Sequence, residues 1–105
     1  GAQGQIEGSV LMGLGAALSE EYVPGRTISL REYCLPMADA MPQIEVLLIE
    51  VPSRYGPLGA KGLGEAPILP STPAIINGLS RAIGVRIREI PATAERVLQR
   101  IRMNR

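Results

Sequence analysis

Residues 56–67, Gly56-Pro57-Leu58-Gly59-Ala60-Lys61-Gly62-Leu63-Gly64-Glu65-Ala66-Pro67, restrict the fold more than any other stretch of this chain. Four glycines fall within nine residues, so neither a helix nor a strand is favoured there. A residue without Cβ takes positive φ readily and lets its backbone come close to another group. The same loop carries the only lysine of the chain, Lys61, and closes on a carboxylate, Glu65, followed by Pro67. The lysine offers a cation to an anionic partner and the glutamate offers a base. Such a loop usually holds a ligand.

The rest of the composition narrows what that ligand can be. The chain has 105 residues, enough for one ordinary domain at most. Apolar residues make up 46%, yet phenylalanine and tryptophan are absent, so any core is aliphatic. Histidine is absent too, and Cys34 is the only cysteine. No internal disulfide, zinc finger or iron–sulfur centre can be assembled from such a set. Without a histidine to activate it, the thiol reads as a small core residue rather than a nucleophile. No apolar run approaches the roughly 20 residues that span a bilayer, and the N-terminus shows no secretory pattern. A soluble, reducing compartment, the cytoplasm, is therefore expected. The chain opens on Gly1 inside a helical pattern with no strong cap before it, which reads as a piece of a larger protein.

Net charge is +1, unevenly spread. Up to Ser80 there are eight acidic residues against four basic ones, whereas from Arg81 onward seven arginines face only Glu89 and Glu95. A basic tail can serve nucleic acid. Here the arginines lie on patterned elements without interleaved aromatics, which points to a solvated or subunit-facing surface instead.

Periodicity gives the order helix, strand, helix, strand, helix. Gln3 to Tyr22 places Ile6, Val10, Leu14, Ala17 and Leu18 at helical spacing, with Gly4, Gly8 and Gly15 near one face, and Pro24-Gly25 ends it. Arg26 to Pro42 reads as extended. Ile44 to Val51, β-branched and bounded by Pro42 and Pro52, is the clearest strand. Thr72 as N-cap and Pro73 at the first helical position start a helix with Ile75, Ile76, Leu79, Ala82 and Ile83 as its stripe and Gly84 as its C-cap. Val85 to Ile90 alternates as a short strand, and Thr93 caps a last amphipathic helix through Val97, Leu98 and Ile101. The expected class is α+β, helices packed on a small sheet, with residues 1–105 forming one partial domain.

Two common phosphate loops do not fit. A Walker A loop needs Ser or Thr directly after the lysine, and Lys61 is followed by Gly62. A dinucleotide fingerprint needs a third glycine, where Gly62-Leu63-Gly64 leads to Pro67 and Gly13-Leu14-Gly15 to Leu18.

Gly59-Ala60-Lys61-Gly62-Leu63-Gly64-Glu65-Ala66-Pro67 resembles the active-site loop near the C-terminus of the molybdenum-binding subunit in the xanthine dehydrogenase and aldehyde oxidase family. Three further segments agree in order. Gly4-Gln5-Ile6-Glu7-Gly8, running on to Gly13-Leu14-Gly15, is similar to the family's glycine-rich helix beside the pterin. Tyr33-Cys34-Leu35-Pro36 is similar to its Asp-Tyr-x-x-Pro segment, with Glu32 where an aspartate is common. Gly84-Val85-Arg86-Ile87-Arg88-Glu89-Ile90-Pro91, leading to Glu95-Arg96-Val97-Leu98, is similar to its ending.

The resemblance implies a C-terminal portion of a molybdopterin-binding domain in a molybdenum hydroxylase acting on aldehydes or N-heterocycles. Glu65 is implied as the catalytic base that activates the molybdenum-bound hydroxyl. Gln5 is implied beside the molybdenum ligands, and Leu63 and Gly64 as backbone contacts to the cofactor, with Lys61 as a further contact or simply a surface cation. No residue is implied as a direct metal ligand. The cofactor is a molybdopterin, often the cytosine dinucleotide in bacteria, while FAD and 2Fe-2S centres belong to other domains or subunits. The implied partners are the remainder of the molybdenum subunit, those iron–sulfur and FAD units, and a small aldehyde or heterocycle substrate, with no nucleic acid and no membrane. By itself the chain is expected to hold no molybdenum and to be inactive. Two other readings stand beside this one. Glu65 can be a carboxylate that favours a helix macrodipole, typically about 0.3–1 kcal/mol, and the chain can be a stand-alone α+β interaction module without chemistry.

Overall fold

A computed structural model describes residues 1–104. Four α-helices occur in order: α1 (Ala2–Leu18), α2 (Leu30–Tyr33), α3 (Ile68–Ile83) and α4 (Ala94–Met103). Single 3-10 turns lie at Ala38–Ala40 and Pro57–Gly59. The fold is organised by α1 packing on α3.

That packing is set by small residues. Ser9, Gly13, Gly15 and Ala17 are the buried residues of α1, and Ser9, Gly13 and Ala17 fall four apart on one face. The apolar residues expected to lead the packing, Ile6, Val10, Leu14 and Leu18, are only half-buried. At Gly13 the helices meet backbone to backbone: a Cβ there would overlap the Cβ of Ser71 and lie 3.2 Å from the amide nitrogen of Thr72. Ser9 is fully buried, and its hydroxyl has no hydrogen-bond partner among the described residues. Leaving a buried hydroxyl unpaired costs about 1–3 kcal/mol, so close approach is favoured here over polar satisfaction.

The helix starts and stops partly follow the sequence. α1 ends at Leu18, one turn before the expected Tyr22, with Ser19 as its C-cap. α3 begins at Ile68, with Pro67 as N-cap, rather than at Pro73. Pro70 sits in the first turn, where backbone N–H groups have no intrahelical acceptor anyway, so it does not oppose the earlier start. Pro73 then lies inside the helix and forgoes one backbone bond. Gly84 closes α3 in the left-handed region at φ 70°, and Thr93 caps α4 by accepting from the Arg96 amide, both as expected.

The α+β expectation holds on its helical side only, because among the described residues no strand forms. Residues 44–51 make no backbone hydrogen bonds, and Leu47 and Ile49 are more than four-fifths exposed. A strand is defined by its ladder, and no neighbouring segment offers one. Residues 85–90 likewise form no strand. Ile87 is nevertheless buried between exposed Arg86 and Arg88, held where its amide donates to the Ser80 hydroxyl at 3.0 Å.

The segment between α1 and the glycine loop is not simply extended. It forms α2 and the first 3-10 turn, and it is pinned to the end of α1. The Ser19 hydroxyl donates to the Cys34 carbonyl at 2.9 Å, and the Glu21 amide donates to that of Tyr33 at 3.3 Å. Cys34 is not a core residue: it is exposed and caps α2 in the left-handed region at φ 63°. The C-terminal run returns to the same place. The Ala92 amide donates to the Ala17 carbonyl at 2.6 Å. Arg96 pairs with Glu21 and donates to the Pro91 carbonyl at 2.9 Å.

The buried apolar core consists of Ala17, Ile87 and Ala92. The radius of gyration is 16.9 Å, against about 13 Å for a compact domain of this length. Ile28, Leu30, Leu47, Ile49, Leu58 and Leu69 are among the large apolar side chains left exposed. The described chain therefore has only a sparse core of its own. No described helix is long and apolar enough to cross a membrane.

Candidate functional site

The glycine loop is built in two parts. Its first part closes on itself. The Ser53 amide donates to the Gly59 carbonyl at 2.9 Å, and the Ser53 hydroxyl accepts from the amides of Tyr55 and Gly56, each at 3.1 Å. Leu58 and Gly59 take positive φ, 53° and 78°, to make this turn. A Cβ on Gly56 would overlap the Ala60 carbonyl oxygen, so the first glycine is required by the loop's own closure.

The second part, Lys61 to Gly64, is different. Its backbone makes no hydrogen bond among the described residues. A Cβ on Gly62 or Gly64 would meet nothing within 4 Å. These two glycines are not required by internal packing, so their N–H and C=O groups stand open to an outside partner. Leu63 is half-buried, while Lys61, Gly64 and Glu65 are exposed. Lys61 makes no ion pair among the described residues.

Glu65 is anchored through its backbone, not its side chain. Its carbonyl accepts from the Ile68 amide at 3.2 Å, which places it at the turn leading into α3. The Ser71 hydroxyl donates to the Pro67 carbonyl at 2.7 Å, and the Thr72 hydroxyl donates to the Gly13 carbonyl of α1 at 3.1 Å. The carboxylate itself is left free, among the described residues, to meet solvent or a substrate.

Gln5 lies in the first part of α1 with an exposed side chain. On either side of it, a Cβ on Gly4 or Gly8 would meet nothing within 4 Å. The helix carrying Gln5 is the one that packs on α3, the helix entered from Glu65. Helix packing thus places both expected site segments in one structural unit. The Ser9, Gly13 and Ala17 face and the Thr72 bridge escaped the sequence reading. A small residue at every fourth position was the available signal for that face.

Among the described residues no group of three acidic, cysteine or histidine side chains could hold a metal ion. The loop offers open main-chain amides and carbonyls and the Glu65 carboxylate, and α1 adds the exposed Gln5 carboxamide on the helix that packs against α3. This set fits a large polar group recognised through its edges, bringing its metal with its own ligands, as a molybdopterin does.

No family model matches the chain. Individual relatives do. The chain is 36% identical over 104 residues to the putative xanthine dehydrogenase molybdenum-binding subunit XdhA of Escherichia coli, covering 93% of this chain and 14% of that protein. It is 38% identical over 106 residues to the 6-hydroxypseudooxynicotine dehydrogenase complex subunit gamma of Paenarthrobacter nicotinovorans, covering 93% and 13%. Its structure superposes on the crystal structure of the aldehyde oxidoreductase from Desulfovibrio desulfuricans with a TM-score of 0.89 at 39% identity, over 94% of this chain and 11% of that one. The chain belongs to the xanthine dehydrogenase and aldehyde oxidoreductase family. It spans about a seventh of the length of the curated relatives it matches. The helical arrangement around α1 and α3 is therefore that of a segment from a molybdenum-binding subunit.

Proposed function

We propose that this chain acts as the C-terminal segment of a molybdenum hydroxylase large subunit and supplies the base, Glu65, for hydroxylation of an aldehyde or N-heterocycle. The observation that carries this reading is the open Gly62-Leu63-Gly64-Glu65 stretch at the start of α3, within a segment matched nearly end to end by molybdenum-binding subunits. When bound, the molybdenum cofactor, a pterin that can carry a cytosine dinucleotide, supplies the oxidising centre that accepts the substrate's two electrons.

Each residue of the chain has its own part. The backbone of Leu63 and Gly64, which makes no hydrogen bond among the described residues, would contact the cofactor. Gln5 offers an amide that both donates and accepts, suited to orienting a polar group beside the metal. The Glu65 carboxylate accepts a proton from the water-derived nucleophile as that oxygen attacks the substrate carbon. Such a base works best in a pocket shielded from water. Glu65 is exposed on this segment, so shielding comes from protein beyond these residues, the remainder of the large subunit. Lys61 provides a cation at the loop's rim.

The exposed aliphatic surface supports the same reading. Many large aliphatic side chains left exposed on one chain suit a segment that other protein covers. The relative named as a complex subunit supports assembly with further subunits; in this reading those subunits carry the iron–sulfur and FAD centres, and the lone thiol accords with the cytoplasm. A stand-alone interaction module is disfavoured by the sparse core, which cannot sustain a domain alone.

The direct test is Glu65→Gln in the assembled enzyme. Turnover should fall roughly 10²–10⁴-fold, the usual contribution of a general base, with molybdenum content unchanged. Wild-type turnover at full molybdenum content would overturn the assignment.

A further inference from the structure

Three contacts form a continuous path from the middle of α1 to Glu65. Gly13 lets the first turns of α3 approach until its carbonyl accepts the Thr72 hydroxyl at 3.1 Å. One residue earlier, the Ser71 hydroxyl holds the Pro67 carbonyl at 2.7 Å. The turn so fixed returns the Ile68 amide to the Glu65 carbonyl at 3.2 Å. Gln5 lies eight residues before Gly13 on the same helix, about 12 Å along its axis. The Thr72 bridge is the only side-chain hydrogen bond that joins α1 to α3 among the described residues. The close approach at Gly13 limits the spacing of the two helices, and the hydroxyl bound to the Gly13 carbonyl ties Thr72 to one height along α1.

We infer that Thr72 is a positioning residue, whose hydroxyl bond to Gly13 sets the register between the helix bearing Gln5 and the turn bearing Glu65. This inference rests on the reading of Glu65 as the base. Thr72 spends its hydroxyl on the Gly13 carbonyl and acts through where Glu65 is held. A misplacement of about 1 Å at a reacting group can reduce rate 10²-fold, so even a partial shift of this turn is measurable.

The test uses the assembled enzyme with Thr72→Val, which keeps the branched shape and removes the hydroxyl, and Thr72→Ser, which keeps the hydroxyl. The reductant is whichever of benzaldehyde, xanthine and quinoline reduces the wild-type enzyme fastest. Thr72→Val should lower kcat roughly 10-fold, with KM and molybdenum content little changed, the pattern of an interaction that matters in the transition state. Thr72→Ser should restore it. Amide hydrogen exchange of residues 63–68 should quicken in Thr72→Val and return in Thr72→Ser. In a Glu65→Gln background, Thr72→Val should have no further effect, because residues acting through one another are not additive. Wild-type kcat in Thr72→Val overturns the inference, as do a loss that persists fully in the Glu65→Gln background and a failure to load molybdenum. If instead Glu65→Gln itself keeps wild-type turnover, the base assignment has failed, and the exchange data still decide whether Thr72 holds the turn.

Discussion

Gly13 on α1 and Ser71 on α3 lie so close that a Cβ on Gly13 would overlap the Cβ of Ser71. The neighbouring atoms are a Cβ and the backbone of Thr72, neither of which can swing aside. Gly13→Ala should therefore force the two helices apart. Overpacking of this kind destabilises by about 1–3 kcal/mol. The check is the thermal inactivation midpoint of the assembled enzyme, which should fall. Gly8→Ala makes the contrasting case, since a Cβ there meets nothing within the segment. In the isolated chain it should raise helix content by circular dichroism, in line with the ~0.5–1 kcal/mol advantage of alanine over glycine in a helix.

A second prediction concerns pH at α2. The Ser29 hydroxyl donates to the Glu32 carboxylate and holds the Glu32 pKa below its ordinary value. A carboxyl with a depressed folded pKa contributes stability above its unfolded pKa. That contribution fades as pH falls through the lowered folded value. Ser29→Ala should raise the Glu32 pKa toward the ordinary carboxylate range. Carbon-detected NMR titration of the Glu32 carboxyl reads this directly, and an unchanged midpoint would mean that the hydroxyl does not act on it.

The isolated chain should be a poor protein. With Ala17, Ile87 and Ala92 as its buried apolar core, it has too little to support a cooperative transition. Heating should give a broad loss of helicity, and sedimentation at rising concentration should show self-association through the exposed aliphatic side chains. Elemental analysis should find no molybdenum, because a cofactor of this size needs enclosure on most of its surface. A sharp melt from a clean monomer would contradict this account of the core.

How much of this was legible in the sequence depended on whether the cause was local. Gly84 and Thr93 cap their helices as read, because a left-handed C-cap and a hydroxyl N-cap are decided within a few residues. The start of α3 was misplaced because Thr72-Pro73 carries a strong cap signature, but the Thr72 hydroxyl is bound to Gly13, 59 residues away. Ile44 to Val51 has the composition of a strand, yet a ladder needs a partner that the chain's own pattern cannot supply. Cys34 looked like a core residue by type, and its place was decided by the backbone, at a left-handed cap. The glycine loop itself was legible. Its division was not: Gly56 and Gly59 serve the loop's closure, whereas Gly62 and Gly64 are open.

The central claim is that the Glu65 carboxylate takes a proton during substrate oxidation. The measurement that tests it most directly is the first reduction of the enzyme by substrate, followed by stopped-flow and normalised to molybdenum content, in wild type and Glu65→Gln. The amide keeps the shape and much of the hydrogen bonding but cannot accept the proton. The account predicts a first-turnover rate roughly 10²–10⁴-fold lower, with substrate affinity and molybdenum content little changed. A near-normal rate at full molybdenum content, accompanied only by a stability loss of about 0.3–1 kcal/mol, would instead make Glu65 a carboxylate that favours the start of α3, and would contradict the account.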